Sequence, residues 1–401
     1  MKILIISELL IGIMCACVDR VDEKNDFEWS ELKKTKDVEC SVWPIQKKDL
    51  GVTKLDIIGD RKRWLFAYGV ARNMSKVAYI SLFSGSVAKD LTKIKELNWN
   101  NSSRFLGGGV IDNLMVLISA GVDRKKGNGI EMERIAENGK VINNFIQHEA
   151  ISDGRAYVIN SKVWILYKTI NSEGLIEDEP FKISVFDVNT KSSIHRNFGK
   201  VGIHGNPKLF YSKKNKTVFA IWLEKTSVRG KKKAVFKYGF LDETNSQFFE
   251  DVLNFHLKDD VELWNVEFSD EKIFLSYVDG NSLIEESVLK IIRVDVVDKK
   301  LRVGMETKIL FGNEQISNPI LFTRRQTLYV VIPKWIEKES TLGFYKMEKG
   351  KIVYIENLGV FPEGSVLEDY FYDESLDHLY GILKKRRIYG FDFNICRLVK
   401  F

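Results

Sequence analysis

Apolar and polar residues alternate with a period of two along most of the chain after residue 37, and short polar turns interrupt the alternation. This pattern predicts β-strands, and no segment has the 3.6-residue spacing of a long amphipathic helix. One signature recurs, in which an apolar strand and a polar turn precede a more apolar strand that opens with an aliphatic–aromatic pair. The pairs are Arg63-Trp64, Leu114-Met115, Val163-Trp164, Val218-Phe219, Ile273-Phe274, Leu328-Tyr329 and Leu379-Tyr380, with Arg63 and Met115 as departures. Their second members stand 49 to 55 residues apart, which indicates an internal repeat.

Each repeat contains four predicted strands. In the fourth unit they are Lys208–Tyr211, Val218–Leu223, Ala234–Phe240 and Phe248–Leu253. In the sixth unit they are Ile320–Phe322, Leu328–Ile332, Leu342–Met347 and Ile352–Ile355. Four antiparallel strands in about 50 residues match the size of a propeller blade, and neighbouring blades would cover both faces of the apolar second strand.

The sequence therefore predicts an all-β fold, a seven-bladed β-propeller of four-stranded antiparallel blades, over residues 38–401. Six blades with an irregular N-terminal sheet are the first alternative, because the first unit is the least regular. A pair of β-sandwiches fits less well, since sandwiches do not repeat at a fixed period. The polar segment 18–37 is too charged to bury much surface and is predicted to be a tether.

Residues 1–17 have the pattern of a secretory leader, with an apolar segment, 3–14, that is too short to span a bilayer of about 30 Å. Ala16 precedes Cys17, which resembles the bacterial lipoprotein signal, in which the cysteine becomes the lipidated first residue. The resemblance implies a protein anchored through Cys17 in the bacterial cell envelope and facing the periplasm. Val18, where an inner-membrane lipoprotein has Asp, implies the outer membrane. A plain cleaved leader and a buried N-terminal strand or helix are the alternatives.

The composition excludes several classes of protein. Among 401 residues, 61 basic and 55 acidic side chains give a net charge of +6, and the hydrophobic content of 44% is that of a globular protein. The basic clusters divide between the two faces of the predicted propeller, so they form no single footprint for nucleic acid. Four cysteines are too few for a disulfide-rich scaffold.

Two of those cysteines, Cys40 and Cys396, lie outside the leader and near opposite ends of the mature chain. The first and last segments of a propeller must meet, and residues 38–43 alternate as a closing strand does. We therefore expect Cys40 and Cys396 to form a disulfide, because an exported compartment is oxidising. Two unrelated buried thiols are the alternative.

The strand order, with Asn206-Pro207 and Asn318-Pro319 before second strands such as 218–222, resembles the blades of sialidase-superfamily and BNR-type propellers. The resemblance implies the fold only. The Asp-box of those proteins, Ser-x-Asp-x-Gly-x-Thr-Trp, is absent, and so are the signatures of WD repeats.

A sialidase-like glycosidase needs three converging arginines, a carboxyl acid/base and a Tyr nucleophile. The arginines of the blades are Arg72, Arg104, Arg155, Arg196, Arg293 and Arg324, none in the Phe/Tyr-Arg-x-Pro setting of that family. No two histidines have metal-ligand spacing on one element, although His148, His204 and His256 fall near blade connections. No nucleotide-binding loop or nucleophile elbow is present, so we predict neither a cofactor nor a metal. Gly107-Gly108-Gly109 indicates a close backbone approach or a bulge.

The segments that join second to third strands share one face of a propeller with the connections between blades, and rigid scaffolds carry recognition on such loops. The longest of these segments are 170–180, 225–233, 279–287 and 334–341. Candidate partner-binding residues on this face are Arg229, Lys231, Lys232, Lys233, His204 and Trp335.

The predicted function is a non-enzymatic, envelope-anchored propeller that binds a protein or glycan partner. One version is an immunity protein against a periplasmic toxin. The alternatives are a sialidase-like glycoside hydrolase or lyase and an envelope assembly scaffold.

Overall fold

The computed structural model describes the strand segments 39–42, 50–58, 63–71, 76–83 and 92–99 by their backbones, and most of residues 104–401 with gaps of up to eleven residues. By compactness, Thr35–Phe401 forms one unit. The regular elements of this described part are all strands. None of the described residues forms a helix that is long and apolar enough to cross a bilayer.

The strands follow one another in short antiparallel runs. The first fifteen are β1 Glu39–Val42, β2 Leu50–Ile58, β3 Arg63–Ala71, β4 Lys76–Phe83, β5 Thr92–Trp99, β6 Arg104–Ile111, β7 Leu114–Asp123, β8 Gly127–Ile135, β9 Val141–Gln147, β10 Ile151–Ile159, β11 Lys162–Thr169, β12 Phe181–Asp187, β13 Ser193–Phe198, β14 Ile203–Ser212 and β15 Thr217–Val228. The remaining strands are β16 Lys231–Leu241, β17 Phe248–Val252, β18 Trp264–Ser269, β19 Lys272–Asp279, β20 Val288–Val297, β21 Lys300–Leu310, β22 Gln315–Ile316, β23 Ile320–Arg324, β24 Thr327–Ile336, β25 Glu339–Glu348, β26 Lys351–Phe361, β27 Ser365–Asp373, β28 His378–Arg386 and β29 Phe391–Lys400.

Consecutive strands pair as meanders. Four-stranded runs are β2–β5, β6–β9, β10–β13, β14–β17, β18–β21 and β23–β26, with the short β22 pairing beside β23 on β24. The last run, β27–β29, has three strands of its own, and β1 from the N-terminal side pairs with β29. Each aliphatic–aromatic pair of the repeat lies at the start of the second strand of its run, so the predicted strand order is confirmed.

The core lies between consecutive meanders, which gives the fold a propeller-like arrangement. The second strand β11 places Ile165 and Tyr167 in a buried cluster with β6–β8, and its Trp164 and Leu166 in another cluster with β14 and β15. The same arrangement continues from β15 to β19 and from β19 to β24. Fully burying one large apolar side chain contributes roughly 1.5–3 kcal/mol, so these interfaces supply most of the stabilising free energy.

The first strands of two meanders meet at a glycine run. β6 and β10 pair in parallel, with Gly107 opposite Ala156. A Cβ at Gly107 would lie 2.2 Å from the Ala156 carbonyl oxygen, and one at Gly109 would lie 2.3 Å from the Val158 Cβ. The register of β6 also shifts between Phe105 and Gly107. The sequence expectation of a close approach or a bulge is confirmed, since both occur.

The two Asn-Pro dipeptides link first strands of neighbouring meanders. The Tyr157 hydroxyl in β10 donates to the Pro207 carbonyl in β14, at 2.8 Å. The Asn265 amide in β18 donates to the carbonyl of Pro319, just before β23, at 3.0 Å. These dipeptides therefore act in packing between neighbouring meanders.

An ion pair between Arg324 and Asp377 joins the last two meanders. The Arg324 guanidinium, at the end of β23, makes two hydrogen bonds to the Asp377 carboxylate in the β27–β28 turn. The same guanidinium lies 4.3 Å from the centre of the Phe401 ring, and the Tyr372 hydroxyl also donates to Asp377. These contacts hold the pKa of Asp377 well below its usual range, mainly through the hydrogen bond from Arg324.

Two of the predicted long loops are wrong. In place of loops at 225–233 and 334–341, strands continue to Val228 opposite Lys231 and to Ile336 opposite Glu339. Polar residues such as Lys231–Lys233 and Glu337–Ser340 interrupt the apolar alternation there, so the sequence pattern does not indicate strands. The segments 170–180 and 280–286 lie outside the described residues.

We expect Gly107→Ala to destabilise the protein by at least about 2 kcal/mol, since the added methyl group meets backbone that cannot move away. Urea unfolding of the purified protein measures this change. Gly127→Asn is the matched control, because a Cβ there meets nothing within 4 Å and Asn tolerates its φ of 79°. Equal losses in the two variants would contradict the close approach of β6 and β10.

Candidate functional site

One end of the meanders carries both the second-to-third-strand hairpins and the connections between meanders, and we call it the loop end. Antiparallel order requires this placement, and the register shows it. Gln315, in a connection, pairs with Trp335 near the end of β24, and His204 pairs with Leu223 of β15. The turns between first and second strands lie at the opposite end, the turn end.

The predicted partner-binding residues fall in three elements of this end. Lys231, Lys232 and Lys233 open β16, where they pair with Val228, Ser227 and Thr226. His204 lies at the start of β14, in the same meander as β16, and the half-buried Trp335 belongs to the hairpin β24–β25, two meanders further along the chain. Arg229 lies outside the described residues. The backbone thus places Lys231–Lys233 and His204 at the loop end of one meander, β14–β17, and Trp335 at the loop end of another.

Sequence reasoning missed a row of ion pairs at the same end, which we call the lysine–carboxylate row. Its members, with their nitrogen–oxygen distances, are Lys182–Glu149 at 2.8 Å, Lys237–Glu224 at 2.8 Å, Lys290–Asp279 at 2.7 Å and Lys334–Glu314 at 2.8 Å. Lys182, Lys237 and Lys290 lie in third strands, directly opposite the buried residues Tyr167, Trp222 and Tyr277 of the second strands. Lys334 lies in the second strand β24 itself, two residues after the buried Ile332. Each pair therefore closes the loop end of one interface between meanders.

A sequence signal for the row exists in the repeat. Glu224, Asp279 and Lys334 are each the sixth residue after the aliphatic member of their pair, and they stand 55 residues apart. A charged residue at the end of an otherwise apolar strand, recurring at the repeat period, points to a buried ion pair. Thr169 occupies this position in β11, and the carboxylate comes instead from Glu149 in the preceding connection.

The electrostatics of the row favour the charged form of two of its lysines. Burial opposes the charge on Lys290 and Lys334, but hydrogen bonds to Asp279 and Glu314 outweigh it, and the pKa of each lysine is raised. Burial also raises the pKa of Tyr277 to about 12. The lysine ammonium of Lys290 lies 5.6 Å from the Tyr277 ring centre, a distance typical of a cation–π contact.

A polar network around Tyr167 contains Tyr, Glu, His and Ser side chains, which are residue types that catalytic sites use. The Tyr167 hydroxyl donates to the Glu149 carboxylate at 2.6 Å, and the His148 Nε2 lies 3.0 Å from the Ser184 hydroxyl. Ser184 and Tyr167 are fully buried, and burial raises the pKa of Tyr167. Although burial favours the neutral form of Glu149, the hydrogen bonds from Lys182 and Tyr167 lower its pKa. A buried neutral phenol beside an ion-paired carboxylate is suited to holding an interface together.

Of the six predicted blade arginines, Arg155, Arg293 and Arg324 have described side chains, and they lie on different strands. Arg72, Arg104 and Arg196 lie outside the residues whose side chains the structure describes. Arg155 lies on the first strand β10, whereas Arg293 lies on the third strand β20 and bonds Asp295 at 2.7 Å. Arg324 lies at the turn end and bonds Asp377. These three therefore do not form the carboxylate-binding cluster of a sialidase.

The side chain of Glu267 has a pKa well above the usual range of a carboxyl group. Glu267 lies on the first strand β18 and faces Thr323 of the neighbouring first strand β23. Burial raises its pKa to about 8, against hydrogen bonds from Thr323 that favour the charged form. Glu267 is therefore largely neutral at pH 7 and can donate a proton. Among the described residues, no three His, Cys, Asp or Glu side chains are grouped as metal ligands.

Comparison with known proteins finds similarity in fold. No family model matches the chain, and no curated protein matches its sequence. Among solved structures, a GH43 β-1,3-galactosidase is 11% identical with a TM-score of 0.37, over 62% of this chain and 90% of its own. A subtype N11 neuraminidase-like protein of A/flat-faced bat/Peru is 9% identical with a TM-score of 0.43, over 77% of this chain and 87% of its own. A protein from Lactobacillus plantarum is 13% identical with a TM-score of 0.48, over 77% and 85%. At these identities and TM-scores the similarity carries no conclusion about what this chain binds or does.

The raised pKa of Glu267 predicts a specific dependence of stability on pH. The unfolded carboxyl loses its proton near pH 4.5, whereas the folded one keeps it until about pH 8. The stability that the neutral form contributes is therefore full below pH 4.5 and is lost as the pH rises to about 8, by an amount on the order of a few kcal/mol. We expect Glu267→Gln to be more stable than the parent at pH 8 but not at pH 4.5, as measured by urea unfolding.

The matched control is Glu348→Gln, whose side chain is 53% exposed on the β25–β26 turn. It should show no comparable gain between the two pH values. A difference between parent and Glu267→Gln that stays constant with pH would contradict the neutral carboxyl.

Proposed function

We propose that this chain is a lipid-anchored, non-enzymatic, seven-bladed propeller of the bacterial cell envelope that binds a protein or glycan partner at its loop end. The blade count is supported by the order of meanders, of which the last is completed by β1. The observation that carries the binding proposal is the pair of extended hairpins, β15–β16 and β24–β25, at that end.

These hairpins are suited to binding because little of their backbone remains to be ordered. The ladder of β15–β16 is paired as far as Val228 and Lys231, and that of β24–β25 as far as Ile336 and Glu339. A binding surface ordered in advance loses less conformational entropy when it meets its partner.

Charge favours an acidic partner. The β15–β16 tip carries Arg229 and Lys231–Lys233, whereas the neighbouring lysine–carboxylate row is neutralised pair by pair. Because the hairpin tip is basic and the lysine–carboxylate row carries no net charge, electrostatic attraction directs anionic surfaces toward the hairpin. An immunity protein that caps a periplasmic toxin is one form of this function, and an envelope assembly scaffold is another.

We expect charge reversal of Arg229 and Lys231–Lys233 to weaken partner binding at least tenfold. Reversal of Lys213 and Lys214, which are exposed on the β14–β15 turn at the turn end, should leave it within about twofold. Binding is measured by capture from detergent-solubilised envelopes, followed by titration with the purified partner. Thermal unfolding of both variants controls for folding, and equal losses of binding would contradict the face assignment.

A sialidase-like glycoside hydrolase or lyase is the second candidate, and Glu267 favours it. Such chemistry needs a carboxyl group that is protonated at neutral pH to donate to the leaving group. Glu267 has this property, and as part of a first strand it belongs to the part of the meander nearest a propeller axis.

If this candidate is right, the purified chain cleaves alkyl glycosides or sialosides, and Glu267→Gln lowers kcat on these substrates by at least about a hundredfold. On substrates whose leaving group departs without protonation, kcat of Glu267→Gln should be close to that of the parent. Turnover that is absent in the parent, or unchanged in Glu267→Gln, would remove Glu267 from any such role.

The anchor proposal rests on the leader that ends in Ala16-Cys17. A lipidated cysteine with two or three acyl chains gives stable attachment to a membrane, whereas one chain does not. We expect the parent to fractionate with the membrane pellet and Cys17→Ala to lose that attachment. Lipid labelling of the parent is the companion measurement. Unchanged sedimentation of Cys17→Ala with membranes would contradict the anchor.

A further inference from the structure

The end of the last meander is completed by a strand from the other end of the chain. β29 has β28 on one side, and on its other side β1 pairs with residues Asn394–Arg397. In the described part, β2 adds only the pair Val52–Phe391 to that edge. The four-residue β1 therefore covers the middle of a ten-residue edge strand.

A cysteine pair sits at the centre of this contact. Cys40 of β1 is the residue directly opposite Cys396 of β29. Directly opposed residues of antiparallel strands have Cα atoms about 4.5–5.5 Å apart. That separation lies within the range of about 4.4–6.8 Å that a disulfide bridges without backbone movement. Cys396 is fully buried and disulfide-bonded.

We propose that the partner of Cys396 is Cys40, and that this disulfide is a redox-sensitive latch holding β1 on the last meander. Two thiols give up two electrons and two protons as the S–S bond forms. A disulfide-exchange oxidant of the exported compartment takes them and becomes two thiols. The bridge joins residues far apart in sequence, so it removes conformations mainly from the unfolded chain.

The latch matters because β1 alone is short. Four ladder residues form few hydrogen bonds, and the segment before β1 is polar and charged. With the bridge reduced, β1 separates from β29 more readily, and the outer edge of β29 becomes available to other strands. The bridge thus keeps the outer edge of β29 covered by β1.

The full chain with Cys15→Ser and Cys17→Ser, oxidised with glutathione disulfide, tests the pairing. We expect fewer than about 0.2 free thiols per chain after unfolding without reductant, two after reduction, and one linked peptide containing Cys40 and Cys396. Two free thiols without reduction, or a linkage between two chains, would overturn the latch.

The consequence for folding is tested on the same protein and needs no partner or membrane, so it can fail independently of the proposed function. We expect reduction to lower the unfolding midpoint by at least about 5 °C and to speed hydrogen exchange along β29. Cys40→Ser, the matched variant, should behave like the reduced parent with or without reductant. If Cys40→Ser is poorly folded, the exchange of parent β29 with and without reductant decides. Unchanged exchange and an unchanged midpoint on reduction would overturn the proposal.

Discussion

The constraint on which this fold depends is that the second strand of a meander is apolar on both faces. β19 shows it most plainly, since seven of its eight residues are buried. A four-stranded sheet cannot cover both faces of its own strand, so each meander must pack against the meander before it and the meander after it. Repetition of that requirement along the chain gives a propeller-like arrangement, and no other tertiary device is needed to explain the order of strands.

Polar contacts lie at both ends of each described interface between meanders. At the loop end, a lysine–carboxylate pair lies where the apolar cluster stops, and the buried carboxylates of Glu224 and Asp279 are each paired with a lysine ammonium at 2.7–2.8 Å. At the turn end, an acidic residue of one meander's first turn contacts the end of the previous first strand. Glu271 accepts from the Ser212 hydroxyl, and Asp377 accepts from Arg324. These contacts align neighbouring meanders, whereas the apolar clusters supply the stabilising free energy.

The sequence predicted the strands because their signal is local. The aliphatic–aromatic pair, with departures only at Arg63 and Met115, and the apolar residues that follow it are properties of one strand. The glycine run was interpretable for the same reason, since Gly107 has no other use within a strand. The extended hairpins were mistaken for loops, because polar residues such as Lys231–Lys233 and Glu337–Ser340 interrupt the apolar pattern. The lysine–carboxylate row was missed because its partners come from different strands, or from a connection in the case of Glu149.

Glu267 could not have been singled out from sequence, because its raised pKa depends on burial in the folded chain, which outweighs the hydrogen bonds from Thr323 of the next first strand. Glu267 also distinguishes the two proposed functions. The loop-end hairpins favour partner binding, whereas a neutral carboxyl at Glu267 permits acid catalysis. Both depend on the meanders packing as described. Hydrogen exchange resolved by residue tests that packing most directly. We expect the amides of β11, β15, β19 and β24 to exchange slowest, near the rate of global unfolding, and those of the outer strands β17, β21 and β26 to exchange faster. Outer strands as protected as the second strands, or a second strand that exchanges by local opening, would contradict it.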